Sequence, residues 1–287
     1  MYNWILAARL KTLPAGISPV IVGVSLAIHD GTFHVLSAFM TLLASILLQI
    51  GSNFANDVYD FLNGADTDDR IGPKRVVQAG LIAPKKMIKG MLLIFSFAIV
   101  IGIYLAFVGG WKIVAVGCIS IFAAIVYTGG PYPLGYYGWG DLMVFLFFGI
   151  IAVPGTYYLQ TGFVSNISIL FGIALGSLST SILAVNNLRD ADTDSLIGKN
   201  TLAVRFGKLF VKIEYMIMMA SAFFILFYVI YLSDKISFYI VLFLLPICIS
   251  NIRLIFTESG ESLNLLLNRT SKFLFQFSIL LSISLIL

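Results

Sequence analysis

An all-α, polytopic membrane bundle of about nine spanning helices is the fold class this sequence predicts. Three observations carry that reading. Composition comes first: 59% of the 287 residues are hydrophobic and only 11% are charged, with a mean hydropathy of +0.98, far from the roughly 25% charged content of soluble domains. Second, the apolar residues fall in runs close to the roughly 20 residues that one helical crossing needs. Third, of the 18 bases all but Lys112 and Lys235 lie in segments that share one side of the membrane if the N-terminus is cytoplasmic. That asymmetry is the signature of cytoplasmic loops. The net charge of +4 therefore reads as topology, and a nucleic-acid partner is excluded.

Taken in order, the expected spans are 13–28, 34–54, 88–108, 112–128, 140–160, 167–187, 212–232, 236–256 and 270–287, forming one integral-membrane domain over 1–287. The first follows Arg9 and Lys11 and contains Pro14 and Pro19. It lacks a small-x-small cleavage site, so it reads as a retained helix and not as a signal peptide. The second ends in NFANDVYD and opens the first cytoplasmic loop. The third and fourth flank Lys112, and the fifth carries the phenylalanine-rich stretch Phe145 to Phe148. The sixth ends in NNLRDADTD, the seventh and eighth flank Lys235, and the ninth closes the chain. Cys118 and Cys248 fall inside apolar runs without metal-site spacing and read as small packing residues.

Two of these spans end in acids. Asn53, Asn56, Asp57 and Asp60 recur at three- and four-residue spacing, which places them on one helical face. Asp190 and Asp194 lie four apart, with Asn186 and Asn187 a turn back on nearly the same side, while Asp192 points elsewhere. Ala-Asp-Thr-Asp occurs at 65–68 and again at 191–194, each time followed by bases: Arg70, Lys74 and Arg75 in the first loop, Lys199 and Arg205 in the second. Like charges about 4 Å apart cost on the order of 4 kcal/mol at an effective dielectric near 20, so a positive partner is required. Asp and Asn oxygens at this spacing suit Mg²⁺, which commonly shares its shell with a substrate phosphate. The repetition points to one shared metal-diphosphate site on the cytoplasmic side. Solvated loop acids are the plain alternative for either cluster alone, and Asp68 and Asp69 fit that description beside Arg70. A cation-coupled transporter is the rival from another class, but transporter acids usually sit at the midplane on broken helices.

Four blocks resemble a known family. WILAARLKTLP at 4–14, NDVYDFLNGADTDDRIGPKRVVQAG at 56–80, YTGGPYPLGYYGWGD at 127–141 and NNLRDADTDSLIGKNTLAVRFG at 186–207 are similar to the UbiA superfamily of intramembrane aromatic prenyltransferases, in its menaquinone branch. The last third matches mainly in hydropathy and in LNLLLNRTSK at 263–272. Gly64 stands where the ubiquinone branch places a third acid, and Pro131 where it carries a lysine. Both departures fit the naphthoate branch, although Asp141 stands where that branch has Glu.

The resemblance implies a UbiA-like bundle around a central cavity in the bacterial inner (plasma) membrane, with the active site toward the cytoplasm. It implies transfer of a polyprenyl group from a polyprenyl diphosphate to 1,4-dihydroxy-2-naphthoate, helped by two Mg²⁺ ions. Asp57 and Asp60, with Asn53 or Asn56, would hold one ion, and Asp190 and Asp194 the other. Asn53, Asn56, Arg70, Lys74, Arg75, Asn187 and Lys199 would receive the diphosphate. The ring of Tyr127 would face the allylic cation, with an interfacial belt position as its alternative. Arg9 and Lys11 either meet the acceptor carboxylate or mark the cytoplasmic edge of the first helix. Homogentisate and haem acceptors remain as enzymatic alternatives. A membrane phosphotransferase is disfavoured, because the DG and AR pair that precedes its acids is absent.

Overall fold

The computed structural model describes residues 2–66, 71–73, 75–233 and 235–287. Arg70 and Lys74 lie outside them. The chain opens on α1 (Tyr2–Ala8) and breaks at Arg9, whose φ of 48° is the one positive value at a non-glycine among the described residues. A single tight turn, Leu10–Thr12, leads into α2 (Leu13–His29), where Pro14 sits in the first turn and gives up no needed hydrogen bond. Next come α3 (Val35–Leu62), α4 (Pro84–Gly109) and α5 (Trp111–Val126), the last two joined at Gly110 with a φ of 70°.

After a strap at 127–139, α6 (Gly140–Phe145) widens into a π-helical turn at Leu146–Ile151 and continues as α7 (Ala152–Thr161). Pro154 has no N–H for the carbonyl four residues back, and the turn before it opens accordingly. The chain then forms α8 (Asn166–Leu196), the short α9 (Leu202–Phe206) and α10 (Lys208–Ser233). A 3-10 segment at Ile236–Leu244 runs into α11 (Leu245–Thr257), and α12 (Leu263–Ile286) follows.

Every expected span falls on a helix. Among the described residues, seven segments are long and apolar enough to cross a membrane: 2–29, 35–62, 84–109, 140–161, 166–196, 208–233 and 236–257. The other two expected spans fall on α5, which is shorter at 16 residues, and on α12, which carries Arg269 and Lys272 in its first half.

The 31-residue α8 is the central post, packed by α2, α6, α7, α10 and α12. Its approach to the π-helical turn is close because a Cβ on Gly149 would meet the backbone of Gly172 and Gly176. Small residues let helix backbones meet where apolar packing alone gives no preference over lipid. Ser177, Thr180 and Ser181 return their hydroxyls to the carbonyl four residues earlier, so α8 buries them satisfied. The main core gathers around α2, α8, α10 and α12, and a second, smaller core joins α1, α3 and α4 around Phe54, Met87 and Phe95.

The structure differs from the sequence reading at two kinds of position. α3 and α8 do not stop near residues 54 and 187 but run on to Leu62 and Leu196, so both acid clusters ride on helices rather than in loops. Their polar faces turn toward protein, not lipid, and a helix so placed need not end where its hydropathy falls. Cys248 is buried as expected, but Cys118 is exposed on α5 and is no packing residue.

Candidate active site

Helix extension decides where the first cluster points. On α3, Asp57 is almost fully enclosed and its two carboxylate oxygens accept the backbone N–H groups of Val76 and Val77 at 3.2 and 2.9 Å. Arg9 stands 3.7 Å from the same carboxylate. One turn on, Asp60 receives Arg75 at 3.0 Å and the Tyr136 hydroxyl at 2.8 Å. Arg75 also reaches Asp66 at 3.4 Å, so one guanidinium gathers an acid of α3 and one just beyond its end. Asn56 accepts from the Thr128 hydroxyl at 3.1 Å, while the amide of Asn53 donates to Ala8 O and Thr12 Oγ1, both at 2.9 Å. Asn53 thereby ties α3 to the break at Arg9.

The second cluster is arranged in the same manner. Arg189 grips Asp190 through two bonds of 2.7 and 2.6 Å, and reaches Asn186 at 2.7 Å and Asn264 of α12 at 2.8 Å. Lys199 donates to Asp194 at 3.3 Å, leaving Asp194 Oδ2 buried with no hydrogen bond. Asn187 donates to Asp141 at 3.3 Å. Burial alone would lower the Lys199 pKa, but the carboxylates of Asp194, Asp60 and Asp190 outweigh it and raise the value above the usual lysine range. Asp60 belongs to the first cluster, so Lys199 joins the two.

The strap between α5 and α6 completes that junction. Lys199 Nζ stands 5.6 Å over the ring of Tyr136, whose hydroxyl is on Asp60 and whose carbonyl accepts the Asn200 N–H at 2.8 Å. Burial and the neighbouring Asp60 raise the pKa of the Tyr136 hydroxyl, keeping it a donor. Tyr136 lies inside the block quoted above, but nothing in its spacing set it apart from Tyr127, Tyr132 or Tyr137. Arg189 likewise reads in the sequence as one more cytoplasmic base, although it stands immediately before Asp190.

All of this opens on one cavity of about 1620 Å³. Asn53, Asn56, Asp57, Asp60, Arg75, Tyr127, Asn187 and Lys199 line it, whereas Asp190 and Asp194 stand behind Arg189 and Lys199 and do not. From this polar end the cavity runs along α4, α5 and the π-helical turn past Ala98, Gly102, Gly117, Phe148 and Leu159. Ile99, Ile103 and Phe122 line the cavity and are also exposed, so its apolar arm is open at the side.

Among the described residues no three His, Cys, Asp or Glu side chains form a metal cage. The acids are instead paired with Arg9, Arg75, Arg189 and Lys199. A hard ion bound by one or two carboxylates and completed by substrate phosphate needs no such cage. The all-oxygen donor set and the unpartnered Asp194 Oδ2 fit an ion of that kind.

The sequence profile of the UbiA prenyltransferase family matches residues 16–275. The chain belongs to the UbiA prenyltransferase family. Among its UbiA relatives, 1,4-dihydroxy-2-naphthoate octaprenyltransferase of Escherichia coli (strain K12) is 41% identical over 220 residues, covering 72% of this chain and 69% of that protein. The Haemophilus influenzae protein of the same name is 39% identical over 227 residues, covering 76% and 74%. In fold, a UbiA homolog from Archaeoglobus fulgidus bound to GPP and Mg²⁺ superposes with a TM-score of 0.70 at 15% identity, over 99% of both chains.

Proposed function

We propose that this UbiA enzyme transfers a polyprenyl group from a polyprenyl diphosphate to 1,4-dihydroxy-2-naphthoate, releasing diphosphate and carbon dioxide and giving demethylmenaquinol for menaquinone biosynthesis. The observation that carries the proposal is the single cavity, polar where the α3 acids, Arg75 and Lys199 converge and apolar along α4 and α5. Such a cavity matches a substrate with a charged head and a long hydrocarbon tail. The names of the curated relatives supply the acceptor.

Asp57, Asp60 and Asn56 would hold one Mg²⁺ and Asp190 and Asp194 a second, consistent with the Mg²⁺ bound by the Archaeoglobus homolog. When bound, the metal supplies charge neutralisation for the departing diphosphate. Arg75 and Lys199, with Asn187 and the bases Arg70 and Lys74, bind the same group and stabilise the negative charge that grows as the allylic C–O bond breaks. Arg189 and Lys199 cover the second pair of acids in the structure, so receiving a substrate entails a change of partners for those cations. The ring of Tyr127 lines the cavity where an allylic cation would form. The acceptor's carboxyl-bearing ring carbon forms the new C–C bond. The electron pair of its bond to the carboxylate returns to the ring as carbon dioxide leaves, so no base is needed to take a ring proton.

The single domain of 1–287 would lie in the bacterial inner membrane with its N-terminus and acids facing the cytoplasm, as the distribution of bases indicates. Purified protein in lipid nanodiscs, incubated with farnesyl or geranylgeranyl diphosphate and a panel of aromatic acids, tests the reading through the mass of the product. Prenylated 1,4-naphthalenediol is expected. A product on another acid, or none, overturns it.

A further inference from the structure

The diphosphate head and the hydrocarbon tail account for two regions of the cavity. The same lining includes the Leu10–Thr12 turn and the cytoplasmic half of α12, which adjoin the polar end through Asn53 and Arg189. There α12 turns Asn264 and Asn268, one helical turn apart, toward the cavity. Asn264 is engaged: it accepts from Arg189 at 2.8 Å and donates to Ile71 O at 3.4 Å. Asn268 is different. Among the described residues no hydrogen bond engages its amide, although it is half-buried and lines the cavity. An uncompensated amide in a membrane helix is costly, and such groups mark places where something else is bound.

Placement on α12 says what lies beside it. One turn further on, Ser271 donates to the Lys11 carbonyl at 3.1 Å, which docks the Leu10–Thr12 turn against the same helical face. Lys11 lines the cavity and is exposed. The backbone of Lys11 is thus fixed beside this face and its flexible side chain lines the same cavity, while Asn268 carries an amide that can donate and accept. The carboxylate pairs of the diphosphate end are absent from this set of lining residues. This combination suits a hydroxylated aromatic carboxylic acid better than a second diphosphate, which calls for several cations or a metal.

We propose that Asn268 and Lys11, with Asn264 fixing the α12 face, form the subsite that recognises the aromatic acid acceptor: Lys11 receives the carboxylate and Asn268 a ring hydroxyl. The assignment rests on the function proposed above, and names the residues that select its acceptor.

The test uses the full-length protein in nanodiscs and three variants: Asn268→Ala, Asn268→Asp and Lys11→Ala. Asn268→Asp places a carboxylate near that of the acid and, through like-charge repulsion, is expected to raise the acceptor KM about ten-fold or more, while the donor KM stays within about two-fold. Lys11→Ala, in an exposed turn, is expected to lower the binding preference for 1,4-dihydroxy-2-naphthoate over 1,4-naphthalenediol about ten-fold, read by calorimetry because the carboxylate also serves turnover as the leaving group. Donor and acceptor KM moving together, or an unchanged binding preference in Lys11→Ala, overturns the subsite. Calorimetric titration of 1,4-dihydroxy-2-naphthoate reads the same site without turnover. Binding lost in Asn268→Asp but kept in the wild type supports the subsite even if no prenylated product forms, which would fault only the proposed reaction. Binding equal in all four proteins, with product formed, overturns the subsite and leaves the reaction standing.

Discussion

The hydroxyl of Tyr136 donates to Oδ1 of Asp60 at 2.8 Å, joining the strap before α6 to the acid face of α3. The same ring lies under Lys199, so one side chain holds a carboxylate of the first cluster and a cation of the second. Tyr136→Phe keeps the ring and removes the hydroxyl. Hydrogen bonds to charged groups contribute about 1.5–3 kcal/mol, so prenyl transfer is expected to fall about ten-fold or more, with a larger loss in Tyr136→Ala. Steady-state kinetics of the two variants check this, and equal rates in both would remove the positioning role.

Asp57 and Asp190 differ in what their loss exposes. Asp57→Asn turns an amide N–H₂ toward one of the two backbone donors at Val76 and Val77, at a cost of about 1–3 kcal/mol. Asp190→Asn leaves the buried Arg189 without its counter-charge, and breaking a buried pair costs about 3–5 kcal/mol. Both variants are expected to lose prenyl transfer by at least about 100-fold, with Asp190→Asn melting at the lower temperature. A thermal melt beside the activity assay separates the two effects.

Metal removal provides a third check. Thorough dialysis against EDTA is expected to stop turnover, and Mg²⁺ to restore it. Ca²⁺, larger and less strict in its geometry, is expected to restore less. Activity that survives chelation would take the ion out of the scheme.

Lys199 carries a pH prediction. Its folded pKa lies above the ordinary 10.5, because three carboxylates together outweigh burial. A raised lysine stabilises the fold fully below the unfolded value and loses that contribution only as pH climbs through the folded one. Lys199 therefore gives no alkaline loss of activity or stability below pH 10.5. Lys199→Met is expected to weaken donor binding by about ten-fold or more, as the loss of one charge-assisted bond implies, at every pH below that value. A wild-type alkaline limb that Lys199→Met abolishes would contradict the assignment.

Much of this architecture is legible in the residues because lipid enforces long apolar runs, and helical spacing alone puts Asp57 beside Asp60 and Asp190 beside Asp194. Helix ends were not legible. Hydropathy drops at Asn53 and at Asn186, yet α3 and α8 continue because their polar faces meet Arg75, Tyr136 and Lys199 from distant parts of the chain. The π-helical turn before Pro154 escaped notice because a proline in a span predicts a disturbance without its form. Arg189 and Asn268 escaped for another reason. A base near a helix end and an asparagine in a terminal helix have ordinary explanations until the fold turns both toward the same cavity.

Ile99, Ile103 and Phe122 bound the cavity and face outward at once. A donor that enters between them is drawn from the leaflet, not from water, and the finished quinol can depart the same way. Saturation of such a catalyst follows the mole fraction of donor in the surrounding lipid. Adding empty lipid at constant enzyme and donor would slow it by dilution alone.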